Sequence, residues 1–88
     1  MPFSVTFLGR VREEDYPFIT KSAQVLIDRA ITQRLTTDPS RYGKALHGKL
    51  AGLRRLRVST YRIIYKVYPE KQLVIIHAIG HRKGIYDQ

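Results

Sequence analysis

Phe3, Val5 and Phe7 alternate with Ser4, Thr6 and Leu8 near the start of the chain, the period of a half-buried strand, and Gly9 ends it. From Glu13 the pattern changes. Pro17 restricts Tyr16 and separates a short acidic helical turn from the segment that follows. Thr20 or Ser22 can cap a longer helix there. Ala23, Leu26, Ile27, Ala30, Ile31 and Leu35 recur three and four apart, an apolar stripe suited to packing on a sheet, and Thr36, Thr37, Asp38 and Pro39 stop it. Residues 40–52 interleave Gly43, Gly48 and Gly52 with Lys44, His47 and Lys49; this reads as an irregular connection with one turn of helix, since the glycine spacing fits no phosphate-cradling motif.

Beyond residue 53 the β-branched and aromatic density rises, giving LRRLRV, YRIIYKVY and QLVIIHAIG, three antiparallel strands joined by tight turns. With Ser59 and Thr60 as the loop of the first hairpin, Val58 faces Tyr61, Arg57 faces Arg62, Leu56 faces Ile63 and Arg55 faces Ile64. One face then carries Leu56, Val58, Tyr61, Ile63 and Tyr65, ready to be covered by the helix, and the other carries Arg55, Arg57 and Arg62. Arginines opposed across a hairpin destabilise it, and a local conflict of that kind tends to mark function; the plainer reading is that both side chains snorkel apart into water. The last strand, residues 73–79, is apolar on both faces and reads as central, its register against the preceding strand left open by the Pro69 turn.

Charge narrows the class of partner. The chain of 88 residues carries a net charge of +9 with pI near 10.3, which calls for an anionic partner such as nucleic acid. Residues 1–40 hold five basic and five acidic side chains, whereas residues 41–88 hold eleven basic and two acidic, together with His47, His77 and His81. The second half is therefore where a site is expected, although a solvated basic face without chemistry fits the charge equally well. The length fits one domain, residues 1–88, and leaves no room for a second module. Without cysteine there is neither a disulfide framework nor a thiolate metal site, and a cytoplasmic setting is expected. No export signal or membrane span is read. The histidines are not at metal-ligand spacing, so neither metal nor cofactor is expected.

The segments GLRRLRVSTYRIIYKV and AIGHRKGIY resemble the RelE/ParE toxin superfamily, and the likeness covers most of the chain in the family's element order. It implies an α+β fold: a small twisted antiparallel β-sheet with an N-terminal helical pair packed on one face and an open basic face opposite. By the same resemblance the chain is a toxin of a type II toxin–antitoxin system, an endoribonuclease cleaving mRNA on the ribosome and so inhibiting translation. Cleavage is by metal-independent attack of the ribose 2′-hydroxyl on the adjacent phosphodiester. An acidic cognate antitoxin is the implied protein partner.

That chemistry needs a proton acceptor for the 2′-hydroxyl, cations for the charge of the phosphorane and a proton donor for the 5′ leaving oxygen. The resemblance carries Arg62 and Arg82 over as a clamp on the scissile phosphate and Tyr86 as the aromatic that orients substrate. Arg55 falls where RelE itself has a lysine proposed as general base. A guanidinium is not deprotonated at working pH, so Arg55 stabilises charge but does not take the proton. His81, next to Arg82, is then the expected acid or base. His77, inside the apolar strand, reads as a packed side chain. Lys44, His47, Lys49, Arg54, Arg57 and Lys83 are the expected RNA contacts. Two other readings compete: a ParE-like toxin that inhibits DNA gyrase without cutting RNA, and a non-catalytic nucleic-acid-binding protein.

Overall fold

The computed structural model describes residues 2–81. Strand β1 (Ser4–Phe7) is followed by a π-helical turn, Val11–Asp15, and a 3₁₀ turn, Tyr16–Phe18; helix α1 (Lys21–Ala30) runs on into a second π-helical turn, Ile31–Leu35. The short β2 (Lys44–Ala45), a 3₁₀ turn at Gly48–Leu50, β3 (Arg54–Val58), β4 (Tyr61–Tyr68) and β5 (Leu73–His81) complete the order. Thr20 is the cap, its hydroxyl accepting from the Ala23 amide at 3.3 Å.

The five strands form one sheet in the order β1-β5-β4-β3-β2. The α+β class holds, with one refinement: β1 pairs parallel to β5, while every other neighbour pair is antiparallel. The alternation of residues 3–8 identifies a strand, but it contains nothing about which distant strand will accept its hydrogen bonds. The β3–β4 hairpin has the register expected, Arg57 opposite Arg62 and Leu56 opposite Ile63 around Ser59 and Thr60. β2 lies in the segment read as irregular; it is only two residues long and its pairing to β3 comes from the fold rather than from local pattern.

The core sits between the helical segment and one sheet face. Val11, Ile19, Ala23, Ile27, Ala30, Ile31 and Leu35 meet Leu56, Val58, Ile63, Tyr65, Val74, Ile76 and Ile79 there. Leu26, counted with the apolar stripe, is instead 44% exposed. Phe3, Val5 and Phe7 pack from the β1 edge. Tyr65 is fully buried, and its hydroxyl donates to the carbonyl of Tyr42 or Pro39, at 2.7 and 2.8 Å, which ties the loop before β2 to the sheet. Gly43 makes this approach possible: at φ +75° a methyl there would lie 2.5 Å from the Arg55 carbonyl oxygen and 2.6 Å from the Tyr65 hydroxyl.

Candidate nucleic-acid interface

The alternation of β3 and β4 sorts the basic residues onto two faces. Leu56, Val58, Ile63 and Tyr65 point into the core, so Arg55 and Arg57 on β3 and Arg62, Ile64 and Lys66 on β4 take the opposite face, which we call the open face although Arg62 and Ile64 at its centre are buried. Lys44 joins them, since it lies directly opposite Arg55 on β2. Lys44 and Arg57 are exposed, Arg55 is half-buried, and Arg62 on the central β4 is 5% exposed. None of the strands β2 to β5 contributes a carboxylate, and so the face concentrates positive charge. Gly43, Lys44, Arg55, Leu56 and Arg57 line a cleft of about 400 Å³ at its β2–β3 margin.

Two expected members stand elsewhere. Arg54 has the parity of Leu56 and Val58 and lies opposite Tyr65. Its guanidinium donates to the carbonyls of Tyr42 and Gly43, both at 3.3 Å, bracing the loop that Tyr65 also holds. Burial pushes the Tyr65 phenol above its ordinary pKa, partly countered by the neighbouring Arg54.

His81 is the second. Ile64 pairs with Ala78 but Tyr65 pairs with Ile76, so His77 is an extra residue in β5, a bulge. The bulge inverts the alternation beyond it, turning Ile79 into the core and His81 to the helix side of the sheet. There the His81 ring lies against Tyr61, centroids 4.5 Å apart, in a hollow shared with Thr20, Ser22, Ala23 and Leu26 of the helical segment. The expected grouping of His81 with Arg55 and Arg62 is thereby corrected: they face opposite sides. Straight alternation along residues 73–81 would have kept His81 on the arginine face, and only the bulge prevents it.

The bulge is held from the N-terminal segment. The Arg10 guanidinium donates to the His77 carbonyl at 2.8 Å, the Ile79 amide donates to the Asp15 carboxylate at 3.2 Å, and Arg10 and Asp15 form an ion pair at 3.6 Å. These charged side chains bond to β5 backbone groups just beyond the last β1–β5 pair, Phe7 with Ile76. His77 itself is half-buried, as its packed reading anticipates, with Nε2 meeting no hydrogen-bond partner among the described residues. Burial, reinforced by Lys66 and Arg10, lowers its pKa and favours the neutral ring.

His47 precedes the Gly48–Leu50 turn and Lys49 lies exposed within it, both in the connection between β2 and β3 rather than on the strands. Arg82, Lys83 and Tyr86 lie outside the described residues. Lys66 is a further cation of this face, belonging to no motif, although its parity with Arg62 in YRIIYKVY is readable.

Comparison with known proteins fits this arrangement. Residues 13–86 match the family described as the ParE toxin of the type II toxin–antitoxin system parDE. The chain is 31% identical over 86 residues to Toxin RelG of Mycobacterium tuberculosis (strain ATCC 25618 / H37Rv), covering 98% of each. Its fold is similar to a chain in the toxin–antitoxin complex RelBE2 of M. tuberculosis, with TM-score 0.85 and 29% identity over 93% of each chain. A mutant of the E. coli toxin RelE in the free state gives TM-score 0.79 at 17% identity, covering 97% of this chain and 88% of that one, a likeness of fold.

Proposed function

From the premise that the chain belongs to the RelE/ParE superfamily of type II toxin–antitoxin toxins, we propose that it is an mRNA-cleaving endoribonuclease working on translating ribosomes and neutralised by an acidic cognate antitoxin. The observation carrying this reading is the array of Arg55, Arg57 and Arg62 on one sheet face with Lys44 beside it. In-line attack of a 2′-oxygen on phosphorus builds charge on the phosphorane oxygens. Fixed cations aimed there stabilise the transition state more than the ground state, and that difference accelerates the reaction. Arg62 suits this task because its central, largely buried position restricts the guanidinium and excludes water around it. Arg82 is assigned as the second arginine of the phosphate clamp and Tyr86 as the substrate-orienting aromatic, both on resemblance.

The antitoxin assignment draws on a relative seen in a toxin–antitoxin complex. The basic face adds a physical reason, since an acidic segment laid over it would neutralise charge and cover the RNA site together.

The test is induction in cells with mapping of mRNA 5′ ends and ribosome positions. Wild type is expected to produce new 5′ ends within translated regions, and Arg62→Ala and Arg82→Ala to lose them by at least about 10²-fold while remaining folded. Undiminished cleavage in either variant overturns that site assignment. The match to the ParE toxin family favours one other reading, the ParE-like one, which by resemblance implies a toxin that inhibits DNA gyrase. DNA breaks on induction, with mRNA intact, would select it.

A further inference from the structure

The open face supplies cations in excess but few groups able to move a proton. Arginine guanidinium holds its proton too firmly to deliver it to a departing alkoxide, whereas an ammonium releases one more readily. His81 is turned to the other side of the sheet against Tyr61. His77 has its Nε2 buried. Lys66 carries its ammonium 5.2 Å from the centre of the Tyr68 ring, toward the end of β4 remote from the hairpin. Among the described residues of this face, that leaves Lys44 as the exposed proton carrier lining the cleft with Arg55 and Arg57.

The placement suits a substrate. Lys44 lies opposite Arg55, Arg55 opposite Ile64, and Arg57 opposite Arg62. Lys44 is thus two strand spacings and two residues from Arg62, roughly 12 Å between backbones, a gap that a lysine and an arginine reaching inward can close around one phosphodiester. The cleft of about 400 Å³ is an open groove, with a volume in the range of small-ligand sites, roughly 300–1,000 Å³. Its backbone is fixed, because Gly43 next to Lys44 sits against the Arg55 carbonyl and the Tyr65 hydroxyl.

We propose that Lys44 is the proton donor to the 5′ leaving oxygen in RNA cleavage, a role that rests on reading the chain as an endoribonuclease. The 2′-oxygen bonds to phosphorus as its proton passes to water, the bond from phosphorus to the 5′-oxygen breaks, and the proton on Lys44 Nζ moves to that oxygen. The products are a 2′,3′-cyclic phosphate and a 5′-hydroxyl, and the amine recovers its proton from solvent.

The experiment compares two mRNAs on ribosomes, one ordinary and one with sulfur replacing the 5′-bridging oxygen at the junction that wild type cuts. Sulfur leaves as a thiolate and needs no proton, so the sulfur substrate bypasses a missing donor. Lys44→Ala and Lys44→Arg are both expected to cut the ordinary mRNA about 10²- to 10⁴-fold more slowly in single-turnover rate. Both are expected to cut the sulfur-substituted mRNA within a few-fold of wild type. Equal losses on the two substrates, or rescue by arginine on the ordinary one, would overturn the role and leave Lys44 a binding cation. If wild type cuts neither mRNA, the endoribonuclease reading falls, and the donor role with it.

Discussion

Tyr61 and His81 meet across the β4–β5 pair with ring centroids 4.5 Å apart and planes tilted by 38°, and they do so on the helix side of the sheet, opposite the face that bears Arg62. Removal of His81 should therefore disturb packing more than chemistry. His81→Ala is expected to lower stability by about 0.5–1 kcal/mol, the scale of a ring pair at a strand end. It should reduce mRNA cleavage far less than Arg62→Ala does. Measured side by side on ribosomes, equal losses in the two variants would return His81 to the reaction.

Arg57 opposite Arg62 puts two like charges across one hairpin. Arg57→Thr removes the conflict and places a β-branched residue in a strand, so its denaturation midpoint should rise by the equivalent of up to about 1 kcal/mol. The same variant should bind RNA more weakly, and the slope of log affinity against log salt should become shallower by about 0.7 for the one lost phosphate contact. A variant that is stabilised with an unchanged salt slope would show that Arg57 touches no phosphate.

The hairpin carrying this conflict was readable from sequence because a two-residue loop and strict alternation fix register without outside help. Leu56, Val58, Ile63 and Tyr65 were assigned to the core on that basis and lie there. The opposite case is β5: residues 73–79 are apolar on both faces, so no alternation reports the extra residue at His77, and the side chains that bond its backbone there, Arg10 and Asp15, come from a segment more than sixty residues away. One inserted residue was enough to send His81 to the wrong face. Arg54 is a different case. Nothing local distinguishes the three arginines of LRRLRV, and only the fold brings the Tyr42–Gly43 loop carbonyls to the Arg54 guanidinium.

That loop gives a stability prediction. Gly43→Ala forces a methyl against a backbone oxygen and the Tyr65 hydroxyl at a left-handed φ, so β2 must shift from β3. A loss of about 2 kcal/mol or more is expected by urea denaturation, accompanied by faster amide exchange at Lys44 and Arg55. Tyr65→Phe removes the hydroxyl that Pro39 and Tyr42 accept from, leaving the Tyr42 carbonyl to Arg54 alone, and should cost about 1–3 kcal/mol. Exchange protection at β2 unchanged in both variants would mean that the tether does not hold the strand.

His77 links stability to mild acid. Its burial, with Lys66 and Arg10 adding repulsion, lowers the folded-state pKa below the ordinary value of 6.5. Between the two values the unfolded chain binds a proton that the folded chain does not. Stability contributed by the neutral ring is thus fully present above about pH 6.5 and drains away as pH falls through that value toward the lowered folded pKa. The charge would arise at the bulge, beside a carbonyl already held by Arg10, so the same acidification should loosen the end of β5 before the whole molecule unfolds. His77→Gln removes the titration while keeping a polar side chain of similar reach. Wild type and variant should therefore converge in relative stability as pH is lowered from 7.5 to 5, the wild type losing more. The comparison isolates His77, because every other side chain is common to the two proteins. Parallel stability curves across that range would show that His77 takes up its proton as easily in the folded protein as in the unfolded chain.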